Sequence, residues 1–283
     1  MINDKIQSGG GNMHLKDKDG VQWLQFNNLS SQEHLIHGFT TRNGGVSHPP
    51  FSSLNMGKST SDDQDKVEEN YNRILSALDV SMRKRFMTRQ VHSDIVVYID
   101  EKRVAEGNDK DNFIDAVDGL ITDQTEPVLL TYYADCVPLF FYDPVNHVGG
   151  VVHSGWKGTS KQIGKKAVKR MSEVFGSRPE DILAGIGPSA GLCCYEVDDA
   201  VLDQFSWMKD TIHEYTKPSE SGRYFIDLKG INKAILQSSG LRNESIEISD
   251  NCTMCQNDLL FSYRVEKPKQ GRMAAIFALN EKK

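Results

Sequence analysis

Hydrophobic and polar positions along this chain recur with two different periods, and segments of the two kinds alternate from residue 21 onward. Short apolar runs rich in β-branched and aromatic residues cover 95–99, 127–133, 137–143, 148–152, 182–186, 245–248 and 273–279, and they predict strands. Val67, Tyr71, Ile74, Leu75 and Leu78 instead share one face of a helix over 61–78 that opens with capping residues. Ile163, Ala167, Val168, Met171 and Val174 do the same over 160–175, and further helices are predicted over 198–205 and 228–239. The class is α+β. No internal repeat or long linker divides the chain, and the polar, turn-rich interval 217–223 is only loop-sized, so residues 21–283 read as a single domain. Residues 1–20 are polar and glycine-rich and read as a flexible leader.

Charge and cysteine content narrow the functional classes. A formal net charge of −6 argues against a nucleic-acid partner, which calls for a basic excess. No stretch approaches the roughly 18 apolar residues of a membrane span, so no membrane association is expected. Five cysteines, an odd and sparse set, fit reduced thiols and a cytoplasmic location better than a disulfide framework.

The chemistry concentrates where predicted strands end. Cys136, in Ala134-Asp135-Cys136-Val137-Pro138, and His153, in Val152-His153-Ser154-Gly155-Trp156, each follow an apolar run. If 137–143 runs antiparallel between 127–133 and 148–152, the thiol and the imidazole return to one sheet edge. His92, in Gln90-Val91-His92-Ser93-Asp94, offers a third donor. One thiolate and two imidazoles suit Zn²⁺ with an open fourth position, the arrangement of catalytic zinc, which lowers the pKa of its water to about 7. The competing reading is a buried cysteine acting as a small hydrophobe.

Other motifs read more plainly. The interval 158–165 has the wrong spacing for a phosphate-binding P-loop, and 185–191, with its displaced last glycine and Pro188, reads as a tight loop after a strand. Cys252-Thr253-Met254-Cys255 lacks an accompanying pair and reads as structural or incidental, while the adjacent Cys193 and Cys194 stay ambiguous. Arg42-Asn43-Gly44-Gly45 presents a guanidinium and an amide on a turn, suited either to anion or base recognition or to a plain hairpin. Arg264 and Arg272 raise the same question, and His34, His37 and His147 read as structural or exposed.

Taken in order, these phrases resemble the YfiH-type family, also called the laccase-domain or multicopper polyphenol oxidase family. The matching pieces run from His37-Gly38-Phe39-Thr40-Thr41-Arg42-Asn43-Gly44-Gly45 through Gln90-Val91-His92, Asp118-Gly119-Leu120, the segments around Cys136 and His153, Ile186-Gly187-Pro188, Cys194-Tyr195-Glu196 and Phe261-Ser262-Tyr263-Arg264 to Gly271-Arg272-Met273. The resemblance implies a single-domain α-β-β-α layered fold of mixed sheets, with zinc, or less readily copper, held by His92, Cys136 and His153. With eight histidines and no His-x-His pair, the chain has too few ligands for a four-copper array.

The activity implied is instead action on purine nucleosides with phosphate: phosphorolysis of adenosine, inosine and methylthioadenosine, together with adenosine deamination. Deamination needs a proton-carrying carboxylate, for which Asp135 comes first and Glu196 second. Phosphorolysis needs cations against phosphate, for which Arg42, Lys157 and Arg264 are candidates, while protonating or hydrogen-bonding the departing base falls to either Asn43 or zinc-bound water. Ser154 and Lys157 depart from the Ala and Arg associated with this phrase. Rival readings are a hydrolase with Cys136 as nucleophile and His153 as base, a copper-dependent phenol oxidase, and a non-catalytic zinc-stabilised binding module.

Overall fold

The most uniformly apolar runs become strands whose two faces are both covered. In the computed structural model, which describes residues 12–267 and 269–282, Val137–Asp143, Val148–Ser154 and Met273–Leu279 are buried along their whole length. Successive side chains still point in opposite directions. Leu139 and Phe141 enter one core and Phe140 and Tyr142 another; Ala275 and Phe277 meet that second core, whereas Ala274 and Ile276 enter a third.

Two stacked sheets and their covering helices account for these three apolar layers. The first sheet has seven strands, in the order Met13–Lys18, Val21–Phe26, Leu35–Thr40, Met273–Leu279, Val128–Tyr133, Arg85–Arg89 and Asp111–Asp115. The second has six: Ile246–Ile248, Leu183–Ile186, Val137–Asp143, Val148–Ser154, Gly119–Thr122 and Val96–Tyr98. Both are mixed, because parallel pairs flank an antiparallel centre in the second sheet and close one side of the first. Phe39, Leu129 and Phe277 of the first sheet pack on Leu120, Phe140 and Val151 of the second. The helix Gln64–Ala77 covers the outside of the first sheet, and Ile163–Phe175 with Leu228–Ser238 covers the outside of the second. The α-β-β-α sandwich is a single domain.

Several boundaries differ from the sequence pattern. Val137–Asp143 pairs with Val148–Ser154 but not with Val128–Tyr133, which belongs to the other sheet. The segment 134–136 hands the chain between sheets, so Cys136 sits at their junction rather than on a shared edge. The helix expected over 160–175 starts later, as Ile163–Phe175, after a separate short helix, Trp156–Ser160, and Gln162 in a left-handed conformation with φ of 58°. The helix expected over 198–205 is shorter, Asp199–Leu202, and continues as a tighter 3-10 turn through Met208. Of the expected leader, residues 1–11 lie outside the described residues, whereas Met13–Lys18 forms an edge strand paired with Val21–Phe26. Among the described residues no helix is long and apolar enough to cross a membrane.

His37 belongs to the frame and not to the site. It is 1% exposed, and its Nε2 accepts the Phe26 N–H at 2.9 Å. Burial, helped by nearby His14, lowers its pKa from the ordinary 6.5 to about 3. Between these values the unfolded chain carries a proton that the folded chain lacks, so stability falls as pH drops through that window, by up to about 1.4 kcal/mol per pH unit. His37→Gln keeps an acceptor but cannot titrate. Urea unfolding followed from about pH 6 to pH 4 is expected to lose nearly one proton from its slope in this variant; an unchanged slope would refute the assignment.

Candidate active site

The three predicted metal donors arrive from three separate segments. His92 lies in the loop between Arg85–Arg89 and Val96–Tyr98, Cys136 at the crossing between sheets, and His153 on Val148–Ser154 opposite Pro138. One donor atom of each lies within 4.8 Å of the others. The imidazole rings meet edge to face at 5.0 Å. Gly155 leaves room for this convergence, because a Cβ there would sit 2.8 Å from Nδ1 of His92 and 3.0 Å from Sγ of Cys136.

Asp118 organises two of the three donors. Its carboxylate is fully buried and accepts His153 Nδ1 at 2.8 Å, leaving Nε2 as that residue's donor toward the thiol. It also accepts the backbone N–H groups of Val91, His92 and Ser93 at 3.2, 3.1 and 2.7 Å, and the Ser93 hydroxyl at 2.7 Å. These bonds hold His92 in a left-handed conformation with φ of 58°. Burial opposes the carboxylate charge, but the bonds from His153 and Ser93 prevail and hold its pKa near 2. Burial likewise disfavours the His153 imidazolium, yet Cys136 and Asp118 raise its pKa to about 9. A thiolate and a carboxylate that draw positive charge to the imidazole between them would likewise attract a divalent cation, which would take the place of the proton on that ring.

The donors open into a cleft of about 850 Å³. Aromatic faces from Phe113, Tyr132, Trp156, Tyr195 and Tyr263 line it, with cations from Lys58, Arg89, Arg264 and Arg272. Not all of these cations are equally placed for a ligand. Lys58 is paired with Glu68 and Asp111, and Arg89 with Asp115. The Arg264 guanidinium stacks 4.9 Å above Tyr195, and Arg272 is anchored through the Gln270 and Gly271 carbonyls.

Of the residues given proton-transfer, base or phosphate roles from the sequence, Asp135 and Arg264 line this cleft, whereas Arg42, Asn43, Glu196 and Lys157 do not. Asp135 is buried; its oxygens accept Thr253 Oγ1 at 2.6 Å and the Arg264 N–H at 2.8 Å, bonds suited to positioning the neighbouring thiol. Arg42 is a correction: Nε donates to the Ser52 carbonyl, one Nη to the Asn257 carbonyl and the other to Glu266, beneath the Phe261 ring. These three bonds commit the guanidinium to joining loops, and Arg42 is not among the residues that line the cleft. Asn43 is corrected likewise, its amide bound to Gln22. Glu196 lies outside the cleft, accepting hydroxyls from Ser219 and Ser221. Lys157 sits just beyond the lining, its ammonium 5.4 Å from the Trp156 ring centre. Asp118 was visible only as part of a sequence phrase, since a carboxylate that acts through two histidines carries no spacing signal of its own.

Residues 36–280 match the family described as multi-copper polyphenol oxidoreductase laccase. The chain belongs to that laccase-domain family. A relative from Bacillus subtilis, called purine nucleoside phosphorylase YlmD, is 38% identical over 92% of this chain and 93% of its own. The solved structure of the YfiH protein of Bacillus licheniformis superposes with a TM-score of 0.86 at 34% identity, covering 94% of this chain and 99% of that one. YlmD from Geobacillus stearothermophilus gives 0.84 at 31% identity, covering 94% and 99% respectively. Laccase-domain membership thus agrees with the layered sandwich and makes the Cys-His cluster a metal-site candidate, without fixing the ion.

Proposed function

We propose that this chain is a zinc-dependent purine nucleoside phosphorylase, acting on adenosine, inosine and methylthioadenosine, with adenosine deamination as a second activity. The observation that carries the reading is the convergence, in one cleft, of the His92, Cys136 and His153 donors with aromatic faces and two guanidinium groups. The relatives' names support the substrate class. The donor set, one soft thiolate and two imidazoles with no further protein ligand among the described residues, suits zinc with an open position. When bound, such an ion supplies Lewis acidity and an acidified water.

The protein groups then divide the work. Arg264 and Arg272 hold phosphate beside C1′ through charge-assisted bonds, while Tyr195 and Trp156 provide flat faces for the base. A phosphate oxygen bonds to C1′ as the bond from C1′ to the base nitrogen breaks, and the proton that phosphate gives up ends on the purine. Asp135 positions Cys136 and is the carboxylate available in the cleft for proton transfer in deamination.

A second reading draws on the line Cys136, His153, Asp118, in which Asp118 orients the imidazole as in a thiol hydrolase triad. The His92 ring against His153 and the cationic wall favour the metal reading. The deciding experiment is chromatography of adenosine incubated with metal-quantified protein, with and without phosphate. Phosphate-dependent adenine and ribose 1-phosphate that vanish on chelation are expected. Activity that persists or rises on chelation would instead support the hydrolase. Arg264→Ala and Arg272→Ala are each expected to raise the KM for phosphate about tenfold or more, the scale of a hydrogen bond between charged groups; an unchanged KM in both would remove them from the phosphate site.

A further inference from the structure

Four of the five cysteines meet at one point outside the set just described. Cys193 and Cys194 lie in the loop after Leu183–Ile186, and Cys252 and Cys255 in the loop after Ile246–Ile248. These strands are parallel neighbours, so both loops leave the second sheet at the same end. Pairing continues beyond the strands, with the Ser249 N–H donating to the Ile186 carbonyl at 2.8 Å and the Thr253 N–H to the Ser189 carbonyl at 3.1 Å. The four Sγ atoms all lie within 4.8 Å of one another, with Cys255 at 3.5 Å from Cys193 and 3.3 Å from Cys194.

Those separations discriminate among the uses of four thiols. A disulfide would bring two sulfurs to about 2.05 Å. A tetrahedron of thiolates about 2.3 Å from zinc has sulfurs about 3.8 Å apart, a spacing that a small closing of the four sulfurs, all within 4.8 Å, and a small opening of the 3.3 and 3.5 Å pairs would reach. The surroundings suit a negatively charged sulfur cluster. The Gly191 N–H donates to Sγ of Cys252 at 3.3 Å, and Lys229, 8% exposed, is bound to the Ser249 and Asn251 carbonyls just before Cys252. The pair that Cys252-Thr253-Met254-Cys255 lacks in sequence is supplied by Cys193 and Cys194 through the fold.

We propose that Cys193, Cys194, Cys252 and Cys255 bind one zinc ion as a closed tetrathiolate, a structural site distinct from the His92, Cys136 and His153 set. With all four positions filled by protein, such an ion has no room for substrate and acts as a clasp. It fastens the loop bearing Tyr195, whose ring faces the cleft, to the loop bearing Thr253, which holds Asp135. The Ala190 N–H donates to the Asp135 carbonyl at 2.9 Å, so both clasped loops abut the residue preceding Cys136.

The test is the zinc content per chain of the full-length protein purified under reducing conditions. Cys193 and Cys255 are exposed, so Cys193→Ser and Cys255→Ser avoid disturbing the core. Each is expected to remove one zinc equivalent, whatever the protein's turnover. In a His92→Ala background, which leaves only the four-thiol set, cobalt loading is expected to give intense thiolate-to-metal charge-transfer absorption that Cys255→Ser abolishes. The proposal is overturned if Cys255→Ser leaves the zinc content unchanged, or if the four thiols of the reduced protein react with an aromatic disulfide reagent equally fast before and after chelation. Failure of phosphorolysis alone would touch neither result, so this site stands or falls separately from the proposed activity.

Discussion

Replacing Asp118 with alanine is expected to weaken metal retention roughly ten- to a hundredfold and to destabilise the fold by about 3–5 kcal/mol. The first effect follows from His153, whose ring is oriented through Nδ1, and from His92, whose backbone is held by the same carboxylate. The second follows from the donors of Val91, His92 and Ser93 left without their acceptor. Each orphaned buried group costs about 1–3 kcal/mol, and the exposure of the 91–92 loop lets water recover part of the total. Asp118→Asn should fall between, because its oxygen still serves His153 while its NH₂ faces the loop donors. Competition against a chelator reads the first effect and urea unfolding the second. Full metal retention in Asp118→Ala would show that the histidines need no such support.

Cys136→Ser is expected to lose the proposed metal and to lower nucleoside turnover by a hundredfold or more, the scale for removing a group that stabilises developing charge directly. A hydroxyl keeps the size of the thiol but is a far poorer zinc ligand at neutral pH. The fold should survive, since Cys136 is only partly buried at the crossing between sheets. Measuring metal content beside turnover separates the two readings of this thiol. Loss of both together fits a ligand; turnover lost with metal retained in full would make Cys136 a nucleophile and sink the ligand assignment.

The layered fold was largely legible because burial imprints itself on sequence. Gln64–Ala77 and Leu228–Ser238 match their apolar faces, and Met273–Leu279 matches its apolar run, since each element meets its core through a regular period. The breaks were not legible. The left-handed Gln162 between two helices, and the assignment of Val128–Tyr133 and Val137–Asp143 to different sheets, depend on what packs against those residues.

The candidate site divides in the same way. His92, Cys136 and His153 could be picked from residue chemistry and from the strand ends they follow, and the fold brings their donors together. Arg42, Asn43 and Glu196 have equally suitable chemistry, yet their hydrogen bonds are turned to Glu266, Gln22 and Ser221, because a side chain's direction is set by neighbours far away in sequence. By itself the sequence determined the class and the family resemblance and singled out the three candidate donors, all of which rest on local pattern and residue type. Only the tertiary structure decided that Asp118 binds both histidine segments and that Cys193 and Cys194 meet Cys252 and Cys255. Those contacts join residues through parallel strands and sheet crossings, and pairing of that kind leaves no periodic trace along the chain.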